Sequence, residues 1–191
     1  TKVVSELGNM SLVELLLQGK TTTPADLVKD LPGNNEAKAE TIDNNLQHEI
    51  VKKMSSNSVY YGKLSEMLKK IIVQRKIEAM SYEEYLRQVV ELAEAILHPE
   101  TSGSYPDEVK DSAARRALYD YFEQNVELTI DVDGAIRVSI RPEWKRNFQK
   151  QQRIRLAIYQ KLLLHSYSED RATEETNNVF DIAQRQEEYD A

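Results

Sequence analysis

The sequence predicts an all-α protein, an antiparallel helical bundle with a C-terminal helical appendage. Three observations carry that expectation. Only 6 Gly and 5 Pro occur in 191 residues, so the chain rarely turns sharply. Charged residues make up 30% of it, as suits long solvated helix surfaces. Above all, three successive segments repeat their apolar residues at three- and four-residue spacing, the period of a helix packed along one face.

Residues 1–35 read as the end of a preceding helical segment plus a linker. Val3 to Leu17 forms one or two short helices broken near Gly8, with Leu12, Val13, Leu15 and Leu16 as an apolar face. Thr21, Thr22, Thr23, Pro24, Asp30, Pro32, Gly33 and Asn34 then make a connector. Residues 36–98 read as a three-helix core. In the first helix Ala39, Ile42, Leu46, Ile50 and Met54 share a side. In the second, Tyr60, Leu64, Met67, Leu68, Ile71 and Ile72 do, while Lys69, Lys70, Arg75 and Lys76 stay in water. Ser81 opens the third helix with Glu84 as a reciprocal capping box, followed by the stripe Tyr82, Tyr85, Leu86, Val89, Leu92, Ala93 and Ile96. Each stripe alone would remain exposed, so the three must pack together.

Pro99, Gly103 and Pro106 mark the clearest internal boundary, and 106–191 form a C-terminal helical part. Asp107 to Gln124 reads as one helix. Val126 to Ile140 has two readings. Alternating apolar residues about Asp133-Gly134 signal a short β-hairpin near 126–140, whereas Leu128, Val132, Ile136 and Ile140 fall four apart as on a helix. Phe148 to His165 is a helix with Ile154, Ala157, Ile158, Lys161 and Leu162 along one side, and Asp170 to Tyr189 is a final acidic one.

Composition narrows the function. Without cysteine there is no thiolate nucleophile, disulfide or cysteine-based metal site. The longest apolar run, Leu156 to Tyr159, is far below the ~20 residues of a membrane span. The expectation is a soluble, cytoplasmic protein with no membrane contact. Catalytic motifs fail in turn. Gln18-Gly19-Lys20-Thr21 lacks the earlier glycine of a phosphate-binding loop and reads as a helix end. Pro106-Asp107-Glu108-Val109-Lys110 has the letters of a metal-dependent nuclease, but on one helix turn rather than on paired strands. Asp131, Asp133 and Gly134 lack the remaining ligands of a calcium loop, and His48, His98 and His165 have no metal-ligand spacing. No catalytic, metal or cofactor-binding residue is assigned.

Charge supplies the candidate site. Arg137, Arg141, Lys145, Arg146, Lys150, Arg153, Arg155 and Lys161 stand against the single Glu143, although the chain as a whole carries a net charge of −7. Arg141, Lys145, Arg146, Lys150, Arg153 and Arg155 are therefore candidate contacts for nucleic acid or an acidic partner, beside Trp144 and Phe148. The competing reading folds the acidic stretch 169–190 back onto them. Tyr60, Tyr61, Tyr82 and Tyr85 read as bundle core or, second, as contacts for a partner helix.

One pattern extends across these elements. Leu31-Pro32-Gly33, Ala39-Glu40-Thr41-Ile42-Asp43-Asn44-Asn45, Asn57-Ser58-Val59-Tyr60-Tyr61, Gln74-Arg75-Lys76 and Ile77-Glu78-Ala79-Met80-Ser81-Tyr82-Glu83-Glu84-Tyr85 follow one another. This string resembles the C-terminal helical region of the R subunit, the motor and restriction subunit, of type I restriction-modification enzymes. The likeness covers Glu6 to Leu97 well. It continues more thinly through Arg116-Ala117-Leu118-Tyr119, Trp144-Lys145-Arg146-Asn147 and Ala157-Ile158-Tyr159. The family commonly has Trp-Arg-Gly-Asn at the Trp144 position, so the resemblance gives Arg146 no role. It favours a helix around Asp133-Gly134.

The resemblance implies a C-terminal fragment of such a subunit, non-catalytic in itself. The nuclease and the ATP- and Mg²⁺-using motor of that family lie in other domains. Its role would be assembly: docking onto the methyltransferase core of modification and specificity subunits during DNA translocation and restriction. The other domains of the R subunit would be further partners. The alternative is a helical module that contacts DNA through 137–161.

Overall fold

A computed structural model describes residues 12–18, 31–103 and 105–190. The expectations for 1–11 and 19–30, including the Gly8 break, the Gln18-Gly19-Lys20-Thr21 helix end and most of the connector, lie outside them. The described residues are helical throughout their regular elements. They form two compact units, one of residues up to Met54 with Tyr61–Ser102, the other of Ser55–Tyr60 with the residues from Gly103 onward.

The first unit holds helices α1 (Leu12–Gln18), α2 (Asn35–Lys53), most of α3 (Ser58–Lys76) and α4 (Tyr82–Leu97). Asn34 starts α2 by accepting the Ala37 amide at 3.0 Å. Ala39, Ile42, Leu46 and Ile50 on α2, Leu64, Leu68 and Ile71 on α3, and Leu86, Val89, Leu92 and Ile96 on α4 fill the interior. The helices alternate in direction. Arg75, at the end of α3, reaches Glu36 and Asp43 early in α2, and Tyr61, near the start of α3, reaches the Ile96 carbonyl at the end of α4.

Three local expectations are corrected. Met67 is exposed, whereas Arg75 is only 9% exposed. Leu64, Leu68, Ile71 and Arg75 recur at four, three and four, so position 75 falls on the buried stripe, and two carboxylates make burial of its charge tolerable. The Ser81 hydroxyl does accept the Glu84 amide at 3.1 Å. The Glu84 carboxylate, however, turns to Arg87 and Gln88 instead of completing a reciprocal box.

The second unit holds α5 (Asp107–Lys110), α6 (Ala113–Tyr121), α7 (Val126–Ser139), α8 (Phe148–Leu164) and α9 (Glu169–Gln184). The helix expected over 107–124 is split because Ser112 leaves helical geometry to cap α6, accepting the Arg115 amide. The last helix likewise ends earlier than expected, and Glu187–Tyr189 form a single 3₁₀ turn. Helices α7, α8 and α9 run up and down. His165 and Lys161, late in α8, reach Asp131 early in α7, and Arg155 reaches Asn177 on α9.

The hairpin near 126–140 is overturned, since α7 is one helix. Asn125 caps it through the Leu128 amide at 3.0 Å, and Leu128, Thr129, Val132, Asp133 and Ile136 are buried together. Val138, which alternation would place with Ile136 and Ile140 on the inner face, is 73% exposed. Burial thus follows three and four, not two. Gly134 lies inside the helix, and a Cβ there would meet nothing within 4 Å. Gly134→Ala is therefore expected to stabilise the chain by about 0.5–1 kcal/mol, through helix propensity and a less free unfolded state. A lower melting temperature for this variant would contradict the helix.

Candidate interaction surface

The centre of the second unit is polar. Asp133 is 0% exposed and lies among Arg115, Arg137 and Tyr189. Its Oδ2 accepts from Arg115 Nε at 2.8 Å. Its Oδ1 accepts from Arg137 Nε at 2.8 Å and from the Tyr189 hydroxyl at 2.8 Å. Burial works to raise the Asp133 pKa, but hydrogen bonds from Arg137, Arg115 and Tyr189 outweigh it and hold the group below the ordinary aspartate value. Burial, and then the same carboxylate, push the Tyr189 hydroxyl far up, so it remains a donor.

The segment Gln186–Asp190 crosses this centre. Tyr189 is buried, and its carbonyl accepts the indole N–H of Trp144 at 2.7 Å. Trp144 is 1% exposed and meets Phe180 edge-on at 5.8 Å. The buried Gln186 donates to the Ser56 carbonyl, and its own carbonyl accepts from Lys145. Glu188 takes the amide at the start of α6, from Ala113, together with the Ser112 hydroxyl and Arg137 at 3.0 Å. Burial raises the Glu188 pKa, and the bonds from Ser112, Arg137 and Ala113 reverse that into a net lowering.

These two depressed carboxyls set the acid limit of the unit. A folded pKa below the unfolded one contributes stability that is complete above the unfolded value, here 3.8 for aspartate and 4.5 for glutamate. It is lost as pH falls through the folded values. Unfolding followed through Trp144 fluorescence should show stability flat near neutrality and falling below about pH 4.5, and less so in Glu188→Gln. A parent chain whose second unit gains stability on acidification would contradict the pairing. In the first unit Asp43 behaves oppositely. Burial raises its pKa above the ordinary value despite hydrogen bonds from Tyr85 and Arg75, so it favours the protonated form on folding.

The candidate basic residues divide sharply. Lys145 pairs with Asp190 and lies 5.7 Å from the Trp144 ring. Arg155 donates to Asn177 and lies 3.8 Å over the Phe180 ring, packing α8 on α9. Arg141 donates to the Val138 and Ile140 carbonyls and Lys150 to that of Pro142, so both brace the turn between α7 and α8. Arg146 and Arg153 are exposed, and among the described residues they make no ion pair. Phe148, between them in sequence, is 71% exposed. The acidic stretch does fold back, but it takes up only part of the basic one.

The tyrosines are core residues. Tyr85 is fully buried, donates to Asp43 Oδ1 at 2.8 Å and stacks on Tyr82 at 5.9 Å. Tyr61 donates to the Ile96 carbonyl, and Tyr60, in the second unit, lies 5.9 Å from Tyr105. Buried in this way, Tyr60, Tyr61 and Tyr85 offer no face to a partner helix, and Tyr82 is half-buried. The nuclease-like letters are also structural, since Asp107 pairs with Lys110 across one turn. Asp131, instead of forming a calcium loop, accepts His165 at 3.0 Å. Among the described residues no group of three or more acids and histidines is placed to hold a metal, and no helix is long and apolar enough to cross a membrane.

Sequence reasoning missed the Asp133 centre. Its available signal was Asp133 and Arg137 four apart on the buried side of Val132 and Ile136. No family model, no curated protein and no solved structure matches this chain.

Proposed function

We propose that the chain is a non-catalytic assembly module, the C-terminal helical region of an R subunit of a type I restriction-modification enzyme, which docks the motor onto the methyltransferase core. The observation that carries this reading is the meeting of the two most specific strings of the resemblance. Tyr85, from Ser81-Tyr82-Glu83-Glu84-Tyr85, donates its hydroxyl to Asp43 and to the Ala39 carbonyl, both from Ala39-Glu40-Thr41-Ile42-Asp43-Asn44-Asn45. Residue types about forty positions apart thus serve one buried contact. A third string supports it: Trp144 fills the second unit's core, and Asn147 caps α8 through the Lys150 amide. Such packing suits a module that must transmit force without deforming. ATP and Mg²⁺ belong, on this reading, to other domains of the subunit.

The test is co-elution of the chain with a methyltransferase core of modification and specificity subunits at near-physiological salt, with duplex DNA run separately. Binding to the core is the expected result, and its absence would contradict docking by the chain itself. A second reading, contact with DNA, is favoured by Arg146 and Arg153, which are exposed and make no ion pair among the described residues. On that reading Arg146→Glu/Arg153→Glu should abolish DNA binding, and the parent affinity should fall with salt by about 0.9 in log K per log salt for each phosphate contacted. Core binding that survives this double variant would separate the two surfaces.

A further inference from the structure

We propose that the segment Gln186–Asp190 is an autoinhibitory clasp, whose Glu188 and Asp190 carboxylates occupy Arg137 and Lys145 and so hold the second unit's basic surface in a low-affinity state toward DNA. The inference rests on the second reading above, that this surface meets a polyanion.

At Asp190 the clasp separates anchorage from charge. Three of its anchors are neutral, the Gln186 amide on the Ser56 carbonyl, the Tyr189 ring in the core and the Tyr189 carbonyl on the Trp144 indole, while Glu188 anchors it as well by capping α6. Between and beyond them stand the acids. Glu188 meets Arg137 at 3.0 Å, and Asp190 meets Lys145. The cations they engage are about a third exposed, and the Asp190 side chain is 57% exposed. The Asp190–Lys145 pair is wet, worth little and exchanges readily for another anion, whereas Glu188 is also held by the Ala113 amide and the Ser112 hydroxyl. A phosphate arriving on Lys145 or Arg137 therefore competes with a tethered carboxylate, not with water alone. Arg146, which lines one cleft with Lys145 and Asp190, would give the first, unhindered contact.

DNA is favoured over an acidic protein partner because these cations sit on a turn and on an exposed helix face. Phosphates need only such point charges, and an acidic protein partner is the outcome that polyglutamate binding tests.

The experiment measures binding of the 191-residue chain to a fluorescent 30-base-pair duplex across a salt series. The parent is compared with Glu188→Gln/Asp190→Asn and with Glu174→Gln/Asp181→Asn, which changes net charge equally on exposed positions of α9. The clasp variant is expected to bind about 3- to 10-fold more tightly at 0.1 M salt, with a slope steeper by about 1 to 2, as for two cations released to phosphate. The α9 variant should match the parent. Equal gains in both variants would overturn the clasp in favour of net charge. An unchanged clasp variant beside a DNA-binding parent would overturn the clasp and leave DNA contact standing, while no binding by any of the three would overturn both. A gain toward polyglutamate without one toward DNA would also overturn it. Asp190→Asn alone, which leaves the cap on α6 untouched, should give about a twofold gain, and decides the matter if the double variant melts early.

Discussion

Asp133→Ala is expected to destabilise the second unit by about 3 kcal/mol, the cost of removing one partner from a buried ion network. The carboxylate is fully buried and receives three donors, so its loss strands Arg115 Nε, Arg137 Nε and the Tyr189 hydroxyl together. Burial of Asp133 alone would argue for a larger figure. Its two arginine partners are each about a third exposed, however, and can turn to water, which places the loss at the lower end of the range for buried pairs. For a unit of this size that corresponds to a fall in melting temperature of roughly 12 °C or more. Asp133→Asn keeps an acceptor for Tyr189 and should lose less. Thermal unfolding of the three chains checks the order, and an Asp133→Ala chain melting within a few degrees of the parent would contradict the network.

Trp144→Ala should cost about 3–5 kcal/mol, the usual penalty for emptying a buried aromatic site. Two losses combine there. The indole leaves a cavity against Phe180, and the Tyr189 carbonyl loses its donor inside the core. Trp144→Phe retains the ring and drops the donor, so it should cost about 1–2 kcal/mol, the price of one buried unsatisfied acceptor. Arg146→Ala, two positions away and exposed, should stay within about 0.5 kcal/mol of the parent. Urea unfolding followed by helix content gives all three values. Equal effects of Trp144→Ala and Arg146→Ala would remove the reason for placing Trp144 at the junction of α8, α9 and the clasp.

The helices were legible where one stripe of apolar residues dominated. Ile42, Leu46 and Ile50 on α2, or Leu86, Val89 and Ile96 on α4, announce both the element and its buried side. Legibility failed where polar residues share the stripe. Periodicity alone leaves Arg75 in water because charge is normally solvated, yet it lies one helical step from apolar neighbours and finds Asp43 on another helix. The α7 ambiguity had a different origin. Apolar residues at both even and fourfold spacing satisfy strand and helix alike, and only the Asn125 cap and the Asp133 ion pairs break the tie. The basic stretch was visible as composition. Which cations remained open was not, because Lys145 and Arg137 find their acids about forty-five and fifty-one residues away, a separation that local patterns do not encode. The tyrosines illustrate the same limit, since Tyr60 and Tyr61 are adjacent in sequence but belong to different units.

Competition tests the docking proposal most directly. An intact R subunit and its methyltransferase core would be assembled on DNA carrying the recognition site, and the chain added in increasing excess while DNA cleavage and methylation are both followed. The chain is expected to occupy the docking face of the core, so that cleavage falls with its concentration while methylation continues, and a chain unfolded in its second unit by Trp144→Ala should be a weaker inhibitor. Cleavage that persists undiminished at a large excess of folded chain would contradict the account.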